Sequence, residues 1–283
     1  MEQGSNEMEK MKYTDKLAEG FDRTASIVCV GLDPVLEKIP ISEKDPEEKI
    51  IRFFGALIDA MSKQGIVNTV KPNYAYYAQY GFEGLRALKE VIEIAREAGM
   101  LVILDAKRGD IAQTADAYAK EVFDFWEADA VTVSPYLGRD SVEPFLKHCE
   151  RGKGVYVLAK TSNPGAADFQ DLKIEGDNAY EKVMQKFLDP LVEGTGFVMG
   201  ATYPEELKNV QNLIQGKNIP LLIPGVGTQG GSVKDTVNAL NKEELFLSRI
   251  NSASGIIYAK SDGDWLKASL DAIKKLDDEI KGK

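Results

Sequence analysis

The sequence predicts an α/β protein, folded as one (β/α)8 TIM barrel domain over residues 1–283, with residues 1–20 as a short N-terminal extension. Eight short runs rich in Val, Ile and Leu read as strands, and a helical pattern follows each of them. These runs are continuously apolar, which is typical of a parallel sheet that is buried on both faces. The count of eight favours a closed barrel. A doubly wound open sheet is the alternative.

The predicted strands are, in order, residues 26–32, 67–71, 101–105, 130–134, 154–159, 196–201, 219–223 and a last one near 255–258. After the first strand, an apolar stripe of Ile50, Phe54, Leu57, Ile58 and Met61 indicates a helix. Comparable stripes lie between residues 85 and 95, 118 and 126, 142 and 149, 180 and 191, 232 and 240, and 266 and 276. The sixth unit has Pro204 where a first helical turn tolerates its missing N–H. No linker rich in Pro and Ser divides the chain.

The composition excludes several classes of protein. With 45 acidic against 35 basic residues and a net charge of −10, we expect no binding to nucleic acid or to an anionic membrane. Cys29 and Cys149 are too few for a disulfide framework or a zinc cluster, which fits a reducing compartment. The single histidine, His148, reads as an ordinary helix residue. Residues 1–12 are charged and no run of about 18 apolar residues occurs, so we expect neither a secretory signal nor a membrane span, and a cytoplasmic protein.

Polar residues follow several predicted strands, at the end of a barrel where catalytic residues lie. The third strand ends in Asp105-Ala106-Lys107-Arg108-Gly109-Asp110. Strand alternation would point the side chains of Asp105 and Lys107 the same way, and Lys71 ends the neighbouring strand. An ion-pair cluster that closes the barrel is one interpretation, and a site with tuned pKa values is the other. A metal between the two aspartates is a further option, although Lys107 already supplies positive charge there.

A glycine-rich segment follows the seventh predicted strand. Gly225, Gly227 and Gly230 fit the pattern G-x-G-x-x-G of dinucleotide-binding proteins. The segment lies in the seventh unit, however, where a barrel forms a phosphate site from its last loops and a helix N-terminus. Backbone N–H groups and the Gln229 amide would be its donors. A plain glycine-rich turn is the alternative.

Taken together, these segments resemble the orotidine 5′-phosphate decarboxylase family. The resemblance rests on five motifs in order: Asp33, Lys71, the Asp105–Asp110 run, Ser162-Asn163-Pro164-Gly165, and the segment from Pro224 to Gly231. It extends from about Asp22 to Lys275. Arg108-Gly109 within the D-x-K-x-x-D motif, and Lys71-Pro72-Asn73, are similar to the second, bacterial-type subgroup of the family.

The resemblance implies decarboxylation of orotidine 5′-monophosphate to UMP and CO2, the last step of de novo pyrimidine nucleotide synthesis, without metal or organic cofactor. It implies that Lys107 protonates C6 of the pyrimidine and that Asp105 lies against the scissile carboxylate. Lys71 would keep Asp105 ionised and bind the ribose, and Asp33 would accept from a ribose hydroxyl. Ser162 would bind the pyrimidine amide edge.

The resemblance also assigns the rest of the substrate. Pro224, Gly227 and Gln229 match the positions that hold the phosphate, with Ser254 and Gly255 beside them after the eighth strand. The catalytic-motif residue Asp110, together with Thr114, matches residues that reach the site of a neighbouring subunit, which implies a homodimer with shared sites.

One position departs from the family pattern. Ser254 stands where the family usually has an arginine that contacts the phosphate, and Arg249 and Lys260 are the nearest cations in sequence. Two rival functions remain on the sequence. A magnesium-dependent sugar-phosphate decarboxylase or aldolase would share the barrel and the D-x-K-x-x-D motif, and a non-catalytic ligand-binding barrel would need neither lysine.

Overall fold

The computed structural model describes residues 11–227, 230–260 and 263–282. Its strands are β1 Val28–Leu32, β2 Thr69–Pro72, β3 Leu101–Arg108, β4 Ala130–Val133, β5 Gly154–Lys160, the hairpin β6 Lys173–Ile174 and β7 Asp177–Asn178, β8 Thr195–Met199, β9 Leu221–Pro224 and β10 Ser248–Ser252. All except the hairpin pair in parallel and form a closed barrel, in which β1 pairs with both β2 and β10. Closure confirms the predicted TIM barrel and excludes the open sheet.

The α-helices pack around the barrel. They are α1 Tyr13–Thr24, α2 Pro46–Gln64, α3 Tyr74–Ala78, α4 Gly81–Glu97, α5 Ala112–Lys120, α6 Glu143–Leu146, α7 Ala179–Leu188, α8 Pro204–Ile214, α9 Val233–Ala239, α10 Ser254–Ile257 and α11 Trp265–Lys281. A π-helical turn, Glu121–Phe125, continues α5. None of the helices in the described ranges is both long and apolar enough to cross a membrane.

Helix α2 shows how the local sequence sets these elements. Asp45 precedes it and accepts a hydrogen bond from the backbone N–H of Glu48 at 2.9 Å, which caps its N-terminus. Gly65 ends it in the left-handed conformation that glycine adopts without strain. The predicted stripe of Ile50, Phe54, Leu57, Ile58 and Met61 is buried. Apolar spacing therefore predicted which face of the helix covers the sheet.

The N-terminal helix α1 closes one end of the barrel. Tyr13 and Leu17 are buried in a cluster with side chains from the barrel interior, and the hydroxyl groups of Tyr13 and Tyr156 lie 3.0 Å apart. Arg249 of β10 is fully buried, donating to the carbonyl of Leu17 at 2.9 Å and to Oγ1 of Thr69 at 2.8 Å. The N-terminal ends of the strands are therefore plugged, and a binding site is left at the opposite end.

The prediction of the last strand is wrong. The structure places it at Ser248–Ser252, and the predicted segment 255–258 falls on α10 and the residue after it. The true strand was missed because its inward positions hold Arg249 and Asn251, which interrupt the apolar run, although both are buried. Ser254 follows the eighth barrel strand in the structure, as the resemblance implies, whereas the predicted segment 255–258 would have placed it before that strand.

Candidate active site

A cavity of about 600 Å³ lies at the C-terminal ends of the barrel strands. Seven of the residues predicted from sequence line it: Asp33, Lys71, Asp105, Lys107, Ser162, Pro224 and Ser254. They come from β2, β3 and β9 and from the segments that follow β1, β5 and β10. Asp110, Thr114, Gly227 and Gly255 are outside the described lining, and Gln229 lies outside the described residues.

The Asp105 carboxylate is held between two lysines. Its Oδ2 accepts from Nζ of Lys71 at 2.8 Å, and its Oδ1 accepts from Nζ of Lys107 at 2.6 Å. Asp105 is 9% exposed and Lys71 is 4% exposed, whereas half of the Lys107 side chain is accessible from the cavity. Of the two ammonium groups, that of Lys107 is therefore the one presented to a ligand.

The opposite charges of Asp105 and Lys71 each favour the charged form of the other group. Burial alone would raise the pKa of Asp105, but the Lys71 and Lys107 ammonium groups outweigh it and hold this pKa well below its usual range. Burial would likewise lower the pKa of Lys71, but the charges of Asp105 and Asp33 raise it above its usual value. Asp105 is thus a carboxylate, and Lys71 an ammonium, at any pH near neutrality.

A bulge in β3, rather than simple strand alternation, brings Asp105 and Lys107 together. Leu104 pairs with Val131 of β4 and Arg108 pairs with Val133, so that three residues of β3 face Thr132 alone. Lys107 has a φ of +46°, in the left-handed region. The two side chains meet as predicted, but the physical reason is the bulge.

Arg108 fixes the chain immediately after the bulge. Its guanidinium donates to both carboxylate oxygens of Glu121, at 3.0 and 2.6 Å, in the paired geometry that arginine favours. It also lies over the rings of Tyr74 and Tyr118, at 4.3 and 4.8 Å from their centroids. These contacts of Arg108 fix the backbone directly after Lys107.

Asp33, just after β1, carries an unsatisfied acceptor. Its buried Oδ1 has no hydrogen-bond partner among the described residues. Burial raises the pKa of Asp33, although the charge of Lys71 and a hydrogen bond from the Asn73 backbone lower it. A buried acceptor without a partner costs free energy unless a ligand or water satisfies it, so Asp33 is suited to bind a hydroxyl group.

The loop after β5 carries Ser162 to the cavity. Lys160 ends β5 fully buried, paired with Asp171 farther along the same loop, and its Nζ lies 4.4 Å from the centroid of the Tyr203 ring. A side chain at Gly200 would meet the backbone of Ser162, since an added Cβ would lie 2.8 Å from its Cα. A buried ion pair and a close backbone approach thus fix the start of this loop.

The loop after β9 folds back on itself. Pro224 lines the cavity, and Gly225 follows with a φ of +102°, a conformation that favours glycine. The N–H groups of Gly227 and Gly231 donate to the carbonyls of Gly231 and Gly225, at 3.1 and 3.0 Å. Two of the backbone donors expected for a phosphate are therefore engaged within the loop in this conformation.

The two cations nearest to Ser254 in sequence, Arg249 and Lys260, could replace the arginine that the family usually has at this position, but neither lines the cavity. Arg249 is buried at the plugged end of the barrel with backbone and Thr69 acceptors, so it does not reach the cavity. Lys260 is exposed and outside the described lining. Lys38, which the sequence did not single out, lines the cavity with Ser254 and lies 5.8 Å from the centroid of the Tyr258 ring.

The comparisons with known proteins agree with this geometry. The family model described as "Orotidine 5'-phosphate decarboxylase / HUMPS family" matches residues 26–267. The chain belongs to this family. The orotidine 5′-phosphate decarboxylase of Ralstonia pickettii (strain 12J) is 43% identical over 265 residues, which cover 92% of this chain and 94% of that protein.

Two further relatives cover nearly the whole chain. The orotidine 5′-phosphate decarboxylase of Ralstonia nicotianae (strain ATCC BAA-1114 / GMI1000) is 41% identical over 274 residues, 95% of this chain and 98% of that protein. The structure of Leishmania donovani OMP decarboxylase superposes with a TM-score of 0.79 at 35% identity, covering 96% of this chain and 98% of that one. Membership of the orotidine 5′-phosphate decarboxylase family therefore rests on sequence and fold together.

Two buried polar residues of this family member's cavity were missed from the sequence. Thr132 of β4 and Asn251 of β10 both line the cavity and are buried, at 1% and 9% exposure. The buried Oδ1 of Asn251 has no partner among the described residues. Strand alternation could have indicated Thr132, which lies on the inward face of a strand that was predicted, but not Asn251, because its strand was missed.

We expect Asp33→Asn to stabilise this family member at pH 7 and the gain to vanish on acidification. A carboxyl whose pKa is raised by folding destabilises the folded state above that pKa, and the penalty is lost below the unfolded value of about 4. The measurement is the difference in thermal midpoint between variant and parent from pH 8 down to pH 4. Asp271→Asn, at an exposed position of α11, is the control for the loss of a carboxylate, against which the change in Asp33→Asn is compared. A loss of stability at pH 7 in Asp33→Asn would contradict the assignment.

Proposed function

We propose that this chain decarboxylates orotidine 5′-monophosphate to UMP and CO2 in pyrimidine nucleotide synthesis, as a carboxy-lyase. The observation that carries the proposal is the Lys71–Asp105–Lys107 cluster at the cavity. Family membership and the activity named for the curated relatives support it. The Asp105–Asp110 motif is similar to that of the second subgroup of the family, and membership of this subgroup stays a prediction.

In the proposed reaction, the bond between C6 of the pyrimidine and its carboxylate breaks, and the electron pair stays on C6. The Lys107 ammonium stabilises that charge and then gives C6 a proton, while CO2 leaves. Asp105 lies against the departing carboxylate and its negative charge disfavours the bound ground state. Water restores the proton of Lys107. One side chain thus supplies both positive charge and proton, and the proposed step uses no metal and no organic cofactor.

The remaining contacts follow the shape of the cavity. Asp33, with its unpartnered oxygen, and Lys71 bind the ribose, and Ser162 binds the pyrimidine amide edge. The phosphate would lie toward the C-terminal ends of β9 and β10, near Pro224, Gly227 and the start of α10 at Ser254 and Gly255. The resemblance adds Gln229 to these residues. Binding energy from this remote phosphate can be used to close loops over the base.

We also propose a homodimer in which each cavity uses residues of both chains. Asp110 and Thr114 lie beyond the cavity of their own chain, at the start of α5, and Thr114 is exposed. Around them the loops after β3 and β4 expose Ile111 at 56%, Tyr136 at 88% and Leu137 at 46%. Exposed apolar side chains of this kind support a surface that a second copy covers. Asp110 would then reach the partner's cavity.

A cytoplasmic location is part of the same proposal. Cys29 and Cys149 are both free thiols and both buried, which fits a compartment that keeps thiols reduced.

Lys107→Ala should abolish decarboxylation. The variant loses both the proton donor and the charge that stabilises the carbanion, so we expect kcat to fall by at least about a thousandfold. The assay is the loss of orotidylate absorbance, with thermal unfolding to verify the fold. Appreciable residual turnover would refute the role of Lys107.

The same assay in excess EDTA tests the rival function, a magnesium-dependent sugar-phosphate decarboxylase or aldolase. The proposed decarboxylation should be unaffected by EDTA, whereas the activity of a magnesium-dependent enzyme should be lost.

Mixing two inactive variants should restore activity. Asp105→Ala and Asp110→Ala each disable every site of their own dimers, but a mixed dimer has one site with both aspartates intact. If the subunits exchange freely, we expect up to about a quarter of parental activity, because about half of the dimers are mixed and each has one working site. Subunit exchange is verified with differently tagged chains. Exchange without recovered activity would rule out shared sites.

Ser254→Arg should tighten phosphate binding. An arginine gives charge-assisted and bidentate hydrogen bonds to a phosphate, and such bonds are worth about 1.5–3 kcal/mol, or roughly 10- to 150-fold in affinity. We expect UMP to bind more tightly, and kcat/KM for orotidylate to rise, by a factor in this range.

Two alanine variants test whether another cation already holds the phosphate. Lys38→Ala removes a lysine that lines the same cavity as Ser254, and Lys260→Ala removes the exposed cation nearest to Ser254 in sequence. UMP affinity is measured in each by calorimetry. If Ser254→Arg changes nothing while either alanine variant loses affinity, that lysine has replaced the arginine and the expected gain is wrong.

A further inference from the structure

Thr132 lies opposite the bulge that forms the catalytic cluster. It is 1% exposed in the middle of β4, and it alone faces the three β3 residues from Asp105 to Lys107. A ladder of backbone hydrogen bonds cannot serve three residues against one. Something other than the ladder must therefore fix this part of β3, and the Thr132 side chain is placed to do so.

The Thr132 hydroxyl joins the two residues of the proposed reaction. The backbone N–H of Lys107 lies 3.0 Å from its Oγ1, and this Oγ1 lies 2.9 Å from Oδ1 of Asp105. An amide N–H can only donate and a carboxylate can only accept. The hydroxyl therefore accepts from Lys107 and donates to Asp105, which leaves no freedom in the direction of either hydrogen bond.

The two hydrogen bonds of the Thr132 hydroxyl restrain the position of Lys107. Lys107 has a φ of +46°, in the left-handed region that is unfavourable for a residue with a side chain. Its N–H bond to Thr132 opposes relaxation of that backbone. The bond to Asp105 fixes the same carboxylate oxygen that accepts from Nζ of Lys107 at 2.6 Å. One hydroxyl thus restrains Lys107 at its backbone and at its ammonium group.

We propose that Thr132 is a positioning residue for the decarboxylation, holding the Lys107 ammonium where the carbanion forms. The inference rests on the proposed function and adds a residue to which the resemblance assigns no role. A misplacement of about 1 Å can cost about a hundredfold in rate. Because Thr132 acts on Lys107 and Asp105 rather than on ribose or phosphate, its loss should lower kcat more than the affinity for UMP.

The barrel offers a matched control in Thr195. It lies at the start of β8 and is also 1% exposed, but its Oγ1 has no partner among the described residues. Thr195→Val and Thr132→Val make the same change of a hydroxyl to a methyl group at equal burial. They differ in that only the second removes hydrogen bonds to the catalytic cluster.

The experiment measures kcat and KM for orotidylate, UMP affinity and thermal midpoint in Thr132→Val, Thr132→Ser and Thr195→Val. We expect kcat of Thr132→Val to fall about 10- to 100-fold while UMP affinity changes less than about threefold. Thr132→Ser, which keeps the hydroxyl, should recover kcat to within about threefold of the parent. Thr195→Val should retain parental kcat. If Thr132→Val does not fold, Thr132→Ala removes the same hydroxyl.

Three results would overturn the proposal. The first is a Thr132→Val enzyme with kcat within about threefold of the parent. The second is a Thr132→Ser enzyme as slow as the valine variant. The third is a loss of kcat in Thr195→Val that equals that in Thr132→Val. Failure of the proposed function would look different, because the parent itself would then not consume orotidylate.

Discussion

The site depends on a single buried carboxylate. Asp105 has two lysines and a threonine hydroxyl as donors, and each lysine depends on Asp105 in turn. Removing one partner from such a buried pair typically costs about 3–5 kcal/mol, because a charge is left without compensation. Buried ion pairs add little net stability over well-packed apolar residues, so stability is a weak reason for this cluster. Under the proposed function, the cluster holds Nζ of Lys107 against a fixed carboxylate at the cavity.

The barrel supplies this arrangement through its irregularities. Regular parallel strands would place Asp105 and Lys107 on one face, about two residues apart along the strand. The bulge instead brings the two side chains into direct contact, and the Arg108–Glu121 pair holds the chain on its far side. The barrel provides the scaffold, and the proposed chemistry lies where β3 departs from regular pairing with β4.

Much of the fold could be predicted because apolar periodicity records burial. Most strands and the covering faces of the helices follow from it, as α2 shows. The last strand could not be predicted in this way, because Arg249 and Asn251 occupy inward positions where apolar residues are the rule. The Arg249 guanidinium donates to Thr69 and to the carbonyl of Leu17, which are both distant in sequence, and a local apolar pattern contains no sign of those partners.

For the site, the sequence motifs identified residues that line the cavity, but they did not predict how those residues are arranged. The motifs identified Asp33, Lys71, Asp105 and Lys107, which line one cavity. Thr132 carries no motif, because its importance arises from facing a bulge that only the three-dimensional pairing reveals. Likewise, Arg249 does not reach the cavity because it lies near the N-terminal end of β10, where the barrel is plugged by α1.

The plug formed by α1 and Arg249 has a kinetic consequence. With the floor of the barrel filled by Tyr13, Leu17 and Arg249, the cavity is a blind pocket, and everything that enters or leaves passes the same mouth. A ligand that reaches this depth must withdraw along the path by which it came. If the phosphate of a nucleotide is held at the mouth, as proposed, whatever lies beneath that nucleotide can leave only after it.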